Sequence, residues 1–273
     1  MQIGFIGAGN ISRALVGGLT SRGFDAQNIE VCDPAPAQRE AVAQRFGVKT
    51  QADNAAAARR ADVLILAVKP QVMRDATTAL REAVLERRPL IVSVAAGIRM
   101  ADLAAWLGGH DRIVRAMPNR PALSGAGITG LFAPATLAPS DRRSTEQLLG
   151  AVGETVWVPK ESDLDTVTAV SGSGPAYFFL LIEMLETSAR ELGLPADTAR
   201  TLAIETAYGA AVLARSREFE PRELREQVTS RGGTTAAAMA VLEEADMRGI
   251  VRRAVTAACI RSAELASEFG SQN

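Results

Sequence analysis

The sequence predicts an α/β N-terminal domain with a mostly parallel sheet, followed by an all-α C-terminal domain. Through the first 160 residues, short β-branched and apolar segments alternate with helical segments, which is the pattern of parallel strands joined by helical crossovers. Beyond residue 162 the strand pattern ends and only helical periodicity continues. We therefore divide the chain into domains 1–160 and 161–273, with no flexible linker between them.

The N-terminal domain is predicted from short, near-continuous apolar runs, which are typical of buried parallel strands. The strands are predicted at Ile3–Gly7, Ile29–Asp33, Asp62–Val68, Leu90–Ala95, Ile113–Ala116, Ile128–Phe132 and Thr155–Val158. The helices are predicted at Ile11–Arg22, Ala35–Phe46, Ala52–Arg60, Gln71–Glu86 and Ser140–Val152. Proline and glycine residues between 117 and 134 predict loops over the strand ends.

The C-terminal domain is predicted to be entirely helical. Its helices are predicted at Pro175–Leu192, Ala196–Arg215, Pro221–Val228, Thr235–Glu244 and Arg248–Glu268. Pro175 and Pro221 lie at helix starts, where proline is well tolerated. The segment 177–182 is apolar nearly all round, which indicates burial on more than one side. Because a helical domain of this size has little room for such a helix, we expect part of it to pack against another subunit.

Composition narrows the class of protein. The 273-residue chain has a net charge of −1, which argues against the basic surface that nucleic-acid binding needs. Its two cysteines, Cys32 and Cys259, are too few for a disulfide framework and fit a reducing compartment. The chain opens without a signal-peptide pattern, and we find no apolar run near the ~20 residues of a membrane span. We expect a cytoplasmic protein that binds no nucleic acid, membrane or metal.

The N-terminal segment combines a predicted strand, a glycine turn and a helix. Gly7 permits the tight turn, Gly9 lets the backbone approach a pyrophosphate, and the small Ser12 permits close helix–strand packing. The helix start then directs unpaired N–H groups at the phosphates. We predict a Rossmann domain that binds NADH or NADPH; a purely structural turn is the alternative. The residues predicted to hold the phosphates are Gly7, Ala8, Gly9, Asn10 and Ile11.

Three further segments are predicted to contact the cofactor. Asp33, at the end of the second predicted strand, is expected to bind the ribose 2′-hydroxyl of NADH. The alternative is that Asp33 only turns the chain ahead of Pro34. Arg39 is the first basic residue after Asp33, and whether it reaches a 2′-phosphate is left open. Lys69 can face phosphate or ribose, or can be a solvated loop lysine. Lys69 belongs to the loop segment at the end of one strand, which comprises Ala67, Val68, Lys69 and Pro70. The loop segment after the next strand comprises Ala95, Ala96 and Gly97, and the small side chains of these three residues leave room for a nicotinamide.

Several motifs in register resemble pyrroline-5-carboxylate reductases. Ala116–Ala122 is similar to their Met-Pro-Asn-Thr-Pro segment, and Val170–Tyr177 resembles their Gly-Ser-Gly-Pro-Ala-Tyr loop. Leu224–Thr235 resembles the signature Val-Thr-Ser-Pro-Gly-Gly-Thr-Thr. The resemblance implies reduction of Δ1-pyrroline-5-carboxylate to L-proline by NAD(P)H, the last step of proline biosynthesis. It also implies a homodimer through the helical domain and, in many members, a decamer.

The same resemblance assigns residues to the substrate and the cofactor. It implies substrate contacts at Ser171, Gly172, Ser173 and Gly174, and at Ser230, Gly232, Gly233, Thr234 and Thr235, and it groups Asn119 with the cofactor. Glycine-rich turns before helices expose N–H groups that can bind a carboxylate. The alternative is that both turns are helix caps, with Ser173 and Thr234 as the capping residues. Two positions depart from the family pattern: Arg120 replaces threonine and Arg231 replaces proline, and we expect Arg231 to point to solvent rather than to the substrate.

The scarcity of bases fits an imine substrate. His110 is the only histidine, and no lysine or histidine follows residue 160, so Tyr177 and Tyr208 are the only residues of the helical half among the usual acids of carbonyl reduction. A cyclic imine protonates readily in water, so we predict catalysis by orientation, with Thr235 as the partner of the ring nitrogen. The alternatives are a β-hydroxyacid dehydrogenase-like enzyme, which would need a lysine that Pro175–Gly193 lacks, and a non-catalytic NAD(P)-binding protein.

Overall fold

The computed structural model describes residues 1–270. The strands are β1 (Ile3–Ile6), β2 (Ile29–Cys32), β3 (Lys49–Gln51), β4 (Val63–Leu66), β5 (Leu90–Ser93), β6 (Ile113–Met117), β7 (Gly127–Phe132) and β8 (Gly153–Trp157). The helices are α1 (Asn10–Ser21), α2 (Pro36–Phe46), α3 (Asn54–Arg60), α4 (Pro70–Arg87), α5 (Met100–Trp106), α6 (Pro139–Leu149), α7 (Asp163–Val167), α8 (Gly174–Glu191), α9 (Ala196–Arg215), α10 (Pro221–Gln227), α11 (Thr234–Glu244) and α12 (Met247–Gly270).

The strands form one eight-stranded sheet in the order β3-β2-β1-β4-β5-β6-β7-β8. The first six strands are parallel, and their order is that of a dinucleotide-binding Rossmann sheet. β7 runs antiparallel to β6, and β8 is parallel to β7. The predicted fold class, a Rossmann α/β domain with a mostly parallel sheet followed by helices, is confirmed. The strand order reverses between β1 and β4, which is where such sheets bind ligands.

Helices cover both faces of the sheet, as the continuous apolar strands require. On one face Phe5 of β1 belongs to a core that includes Leu15 of α1. On the other face Leu64 of β4 belongs to a second core that includes Met73 of α4. All four side chains are at most 1% exposed. The sheet is therefore held rigidly between two apolar layers, and its carboxyl edge is a stable platform for a ligand.

Several short elements, β3 among them, were not predicted from the sequence. β3 has the polar sequence Lys-Thr-Gln and pairs only with β2 at the sheet edge, so it shows no apolar run. α5 and α7 have seven and five residues, too short for a clear helical period. A π-helical turn, Thr168–Gly172, joins α7 to α8 where a glycine-rich loop was expected. The remaining predicted elements are present, with ends shifted by a few residues.

Two compact units divide the chain. Unit 1 comprises Met1–Gly172 together with the end of the chain from Ala258 onward, and unit 2 comprises Ser173–Ala257. The edge of unit 1 lies beyond residue 160 because α7 packs on the sheet: a Cβ at Gly130 of β7 would lie 2.6 Å from Val167 Cγ1. The predicted boundary at residue 160 thus marks a change of secondary structure, and it stays a prediction as a domain boundary.

Unit 2 exposes much of its apolar surface in the single chain. Phe178 and Phe179 of α8 are 67% and 61% exposed, and Tyr208 of α9 is 66% exposed. The segment 177–182 is thus largely exposed in the single chain, and its expected packing against another subunit stays a prediction. By length and composition alone, the helical stretch Asp163–Glu191 is long and apolar enough to cross a membrane. No apolar run of that length is predicted from the sequence. The stretch is long because α7, the π-helical turn and α8 follow one another as a single helical segment.

Candidate active site

The turn after β1 is fixed between two neighbouring strands. Gly7 has a φ of +102°, and a Cβ there would lie 2.8 Å from the Ala67 carbonyl oxygen and 3.2 Å from Val68 Cγ1. The Gly7 N–H donates to the Cys32 carbonyl at 2.7 Å, and the buried Ser12 hydroxyl donates to the Gly7 carbonyl at 2.6 Å. Only glycine fits position 7 without moving backbone.

Gly9, by contrast, faces open space. A Cβ built on Gly9 would meet no atom of the described residues within 4 Å. Gly9 precedes the 12-residue helix α1, whose first turn carries neither a side-chain cap nor an acidic residue. The N–H groups of Asn10 and Ile11 therefore lack intrahelical partners and lie at the positive end of the helix dipole. This opening fits the pyrophosphate of a dinucleotide.

Asp33 joins the glycine turn to the end of β2. Its Oδ2 accepts the Ala8 N–H and its Oδ1 accepts the Ala35 N–H, each at 2.9 Å. Arg39 Nη1 donates to the carbonyl oxygens of Asp33 at 2.7 Å and Pro34 at 3.0 Å. Asp33 therefore does turn the chain ahead of Pro34, and the Arg39 guanidinium binds the backbone carbonyl of Asp33 rather than its carboxylate.

The end of β4 lies beside the glycine turn. The Ala67 N–H donates to the Ile6 carbonyl at 2.9 Å, which continues the pairing of β4 with β1. Val68 is half-buried, and Lys69 is exposed at the N-cap of α4, where Pro70 is the first helical residue. These four predicted cofactor residues thus lie at the point where the strand order reverses.

The small-residue segment after β5 is a tight turn covered by the end of the chain. Ala95 and Gly97 are buried, Ala96 is half-buried, and Gly97 has a φ of +73°. A Cβ on Gly97 would lie 3.2 Å from Phe269 Cδ2 and 3.5 Å from Leu265 Cβ, both on α12. Sequence reasoning found the turn but not the helix end that covers it.

Asn119 connects two of the family-like motifs. Its Nδ2 donates to the Ser171 carbonyl at 3.1 Å, and its Oδ1 accepts the Ile128 N–H at 3.0 Å. The side chain is largely buried, at 8% exposure. Asn119 therefore fixes the π-helical turn against β7, whereas its predicted contact with the cofactor stays a prediction.

Two ion pairs connect α7 and the residues just before it to β6 and to the segment before α5. Arg115 Nη1 of β6 binds Glu161 Oε1 at 2.8 Å, and Arg99 Nη2 binds Asp165 Oδ2 at 2.6 Å. Ser262 of α12 donates to Asp165 Oδ1 at 2.8 Å. Burial lowers the pKa of the Arg115 guanidinium, and the bond to Glu161 opposes that shift. These groups were missed by sequence reasoning, although an arginine inside the apolar strand Ile113–Met117 was a visible signal.

The first predicted substrate segment is helical rather than a loop. Within the π-helical turn the Ser171 hydroxyl donates to the Val167 carbonyl at 2.9 Å, and a Cβ on Gly172 would lie 2.7 Å from Met117 Cε. Ser173 has helical dihedral angles and makes no side-chain capping bond. Ser173 is thus the N-cap residue of α8, as the alternative reading has it, but its side chain does not cap the helix. Gly174 begins α8.

The second predicted substrate segment is a tight turn before α11. Gly232 has a φ of +74°, and the Gly233 N–H donates to the Ser230 carbonyl at 3.0 Å. Gly233 is the N-cap and Thr234 the first helical residue, so the reading of Thr234 as the cap is wrong. No side chain caps the helix, which leaves its first N–H groups available. Thr235 is half-buried in the first turn of the helix.

The two arginines that depart from the family pattern, Arg120 and Arg231, are both exposed, as expected for Arg231.

Cys32 is buried at the end of β2, and burial raises the pKa of its thiol to about 12. Thiolate chemistry at neutral pH is therefore excluded for Cys32.

Two protein-family models match the chain, one over its N-terminal part and one over its helical part. A model described as pyrroline-5-carboxylate reductase dimerisation matches residues 161–265. A model described as NADP oxidoreductase, coenzyme F420-dependent, matches residues 2–97. The helical part of the chain thus matches a domain named for dimerisation, and the glycine-turn part matches a nucleotide-dependent oxidoreductase domain.

Solved structures agree with this division. The structure of a pyrroline-5-carboxylate reductase from Coxiella burnetii has a TM-score of 0.93 and 40% identity, covering 97% of this chain and 98% of its own. The reductase from Plasmodium falciparum, solved with NADP bound, has a TM-score of 0.85 at 26% identity and the same coverage. A 3-hydroxyisobutyrate dehydrogenase from Mycobacterium tuberculosis, at 18% identity and a TM-score of 0.51, shares the fold alone.

Curated sequences cover the whole chain. The pyrroline-5-carboxylate reductase of Pisum sativum is 36% identical, over 96% of this chain and 95% of its own. The reductase of Pseudomonas aeruginosa is 46% identical over 98% of both chains. The β-hydroxyacid dehydrogenase alternative has no support beyond the shared fold. The chain belongs to the pyrroline-5-carboxylate reductase family, whose members reduce Δ1-pyrroline-5-carboxylate to L-proline with NAD(P)H.

Proposed function

We propose that this chain carries out the reaction of its family and holds NAD(P)H along the turn from Gly7 to Ile11. The main support is the opening above Gly9, where an uncapped helix start offers free N–H groups and no side chain fills the space. The other residues proposed for the cofactor are Asp33, Ala67, Val68, Lys69, Pro70, Ala95, Ala96, Gly97 and Asn119. NAD(P)H supplies the hydride that reduces the imine carbon.

Arg39 supports the use of NADPH as well as NADH. Its guanidinium is held at the end of β2 by two carbonyl oxygens, where a ribose 2′-phosphate would be bound in a Rossmann domain. Asp33 alone would repel that phosphate, but its carboxylate already accepts two backbone N–H groups, and Arg39 adds a positive charge bound to the backbone at the same strand end. The preference for NADH expected from Asp33 is thereby offset, and we propose that both cofactors bind.

The substrate carboxylate is proposed to bind the glycine turn before α11. The turn has a glycine N-cap and no side-chain cap, so its N–H groups remain available for an anion. The residues proposed for the substrate are Ser230, Gly232, Gly233, Thr234 and Thr235, together with Ser171, Gly172, Ser173 and Gly174. Ser171 and Gly172 are already packed within unit 1, so they offer a fixed surface rather than a mobile loop.

Catalysis is proposed to depend on binding and orientation. The helical half contains no lysine or histidine, so it has no dedicated acid of those types. An iminium substrate needs none, because hydride addition neutralises its charge. The Thr235 hydroxyl is the proposed partner of the ring nitrogen, and the N–H groups of the turn anchor the carboxylate. The chain's task is then to hold the substrate and exclude water.

A homodimer through unit 2 is proposed from the same helices. The apolar side chains of α8 and α9 are exposed in one chain, far beyond what a monomer leaves in contact with water. They lie within the segment that matches a dimerisation domain. Light scattering after gel filtration should give at least twice the 28.8 kDa of one chain. We also propose, from the family resemblance, assembly into a decamer and a cytoplasmic location.

Absorbance at the nicotinamide band tests the function directly. We expect NADPH and NADH each to be consumed when Δ1-pyrroline-5-carboxylate is added, with L-proline formed in equal amount. 2-Hydroxy acids with the oxidised cofactors are the control for the dehydrogenase alternative. Formation of NADPH or NADH in the control, without their oxidation by Δ1-pyrroline-5-carboxylate, would support that alternative, and cofactor binding without any turnover would support a non-catalytic role.

A further inference from the structure

The end of α12 packs directly on the turn that follows β5. A Cβ on Gly97 would lie 3.2 Å from Phe269 Cδ2 and 3.3 Å from Phe269 Cε2. The ring also packs against the apolar core that contains Ala95 and Ile98. The turn lies beyond Ser93, the last residue of β5 that pairs with β4, so the sheet does not hold it. Side-chain packing by Phe269 is therefore one of the contacts that hold this turn in place.

The same region is tethered on its other side by charged groups. Arg99, two residues after Gly97, binds Asp165, which also accepts the Ser262 hydroxyl of α12. The Met100 N–H donates to Glu161 Oε1 at 2.6 Å. The segment from Ala95 to Met100 is thus fixed by α7 and α12, two elements distant in sequence. Such a double attachment is expected where a small displacement would alter the geometry of a bound group.

We propose that Phe269 is a positioning residue for the nicotinamide half of the cofactor, acting through the Ala95–Gly97 turn. This inference rests on the proposed cofactor site, in which the three small residues of the turn face the nicotinamide. Phe269 touches the turn and not the cofactor. Its ring supports Gly97 in a left-handed conformation that places the turn at the carboxyl edge of the sheet.

The test compares four variants of the full-length protein. Phe269→Ala removes the ring, Phe269→Leu keeps apolar bulk and is the more conservative replacement for folding, and Phe269→Tyr keeps both ring carbons that contact Gly97. Arg261→Ala is the matched control, because Arg261 is exposed on the same end of α12 and, among the described residues, forms ion pairs with Glu264 and Glu268 alone. NADPH affinity is measured by the fluorescence of the bound cofactor, alongside kcat, both KM values and the melting temperature.

A positioning role predicts a specific pattern of constants. Phe269→Ala should raise the Kd and KM for NADPH about tenfold and lower kcat, while Phe269→Leu shows a smaller change in the same direction. Phe269→Tyr and Arg261→Ala should match the wild type. A purely structural role would instead lower the melting temperature and the active fraction without changing the Kd.

The outcomes separate this inference from the proposed function. Wild-type Kd values in both Phe269→Ala and Phe269→Leu, with an active wild-type enzyme, would overturn the positioning role and leave the function intact. If Phe269→Ala does not fold, Phe269→Leu decides the question alone. A wild type that binds NADPH but does not turn over Δ1-pyrroline-5-carboxylate would contradict the function while the Kd comparison still tests Phe269.

Discussion

Alanine substitution at the two glycines of the first turn should affect different properties, namely stability at Gly7 and cofactor binding at Gly9. At Gly7, alanine would have to adopt a φ of +102° with its methyl group 2.8 Å from the Ala67 carbonyl oxygen. The backbone conformation costs about 1–3 kcal/mol and the contact with rigid backbone a similar amount. We therefore expect Gly7→Ala to lower the free energy of unfolding by about 3 kcal/mol, which corresponds to a fall of about 10 °C in Tm.

At Gly9 the same change should spare the fold and damage cofactor binding. Its φ of −70° suits alanine, and the added methyl group meets nothing within 4 Å. Loss of a glycine at an N-cap costs under about 1 kcal/mol. The methyl group would, however, occupy the space proposed for the pyrophosphate and displace hydrogen bonds to a charged group. Because such bonds contribute about 1.5–3 kcal/mol, we expect the Kd for NADPH to rise about 10- to 100-fold.

The assay pairs thermal unfolding with a fluorescence titration of NADPH. Gly23→Ala is the control for backbone strain alone, since Gly23 has a φ of +83° and open space around its Cβ position. It should lower Tm by less than Gly7→Ala and leave the Kd unchanged. The reasoning is refuted if Gly9→Ala binds NADPH as tightly as the wild type, or if it loses as much stability as Gly7→Ala.

Three further predictions concern single side chains. Arg39→Ala should raise the KM for NADPH about tenfold and leave the KM for NADH unchanged. Both KM values are taken from steady-state rates, and an equal change in the two would contradict the 2′-phosphate contact. Thr235→Val should lower kcat about tenfold to a hundredfold through loss of one hydrogen bond, and unchanged kinetics would remove Thr235 from the mechanism. Burial lowers the pKa of His110, whose Nε2 lies 2.9 Å from the Pro89 carbonyl. The unfolded chain therefore binds a proton more readily, so urea unfolding should show wild-type stability falling as the pH drops below about 6.5, and His110→Gln should lose less over the same range.

The fold could be read from the sequence wherever local pattern and tertiary structure agree. Buried parallel strands such as β1 and β4 are continuous apolar runs, and the glycine turn is specified by the strand before it and the helix after it. β3 was missed because a polar edge strand lacks that signal. The π-helical turn Thr168–Gly172 was missed because glycines and serines there predict a loop, whereas Asn119 and Met117 hold the segment in helical form.

In the candidate site, too, the sequence predicted the residues with local roles and missed those that act through long-range contacts. Residues whose role is local, such as Gly7 and Gly9, were identified with the reason for each. Residues that act through long-range contacts were not: Phe269 reaches Gly97 from the opposite end of the chain, and Ser262 reaches Asp165 across almost a hundred positions. No spacing in the sequence encodes such a pair, because it exists only after the chain has folded.

That dependence has a consequence for how the cofactor domain is organised. The turn proposed for the nicotinamide is covered by the final turns of α12, a helix that starts in unit 2 and ends in unit 1. The proposed nucleotide-binding part of the chain is therefore incomplete without the last turns of α12. A change in α12 that shifts its last turns would move Phe269 relative to Gly97 without altering any residue of the sheet. The helical region would thus contribute to catalysis in two ways: through the carboxylate turn proposed before α11, and through the support that its last helix gives to the turn after β5 proposed for the nicotinamide.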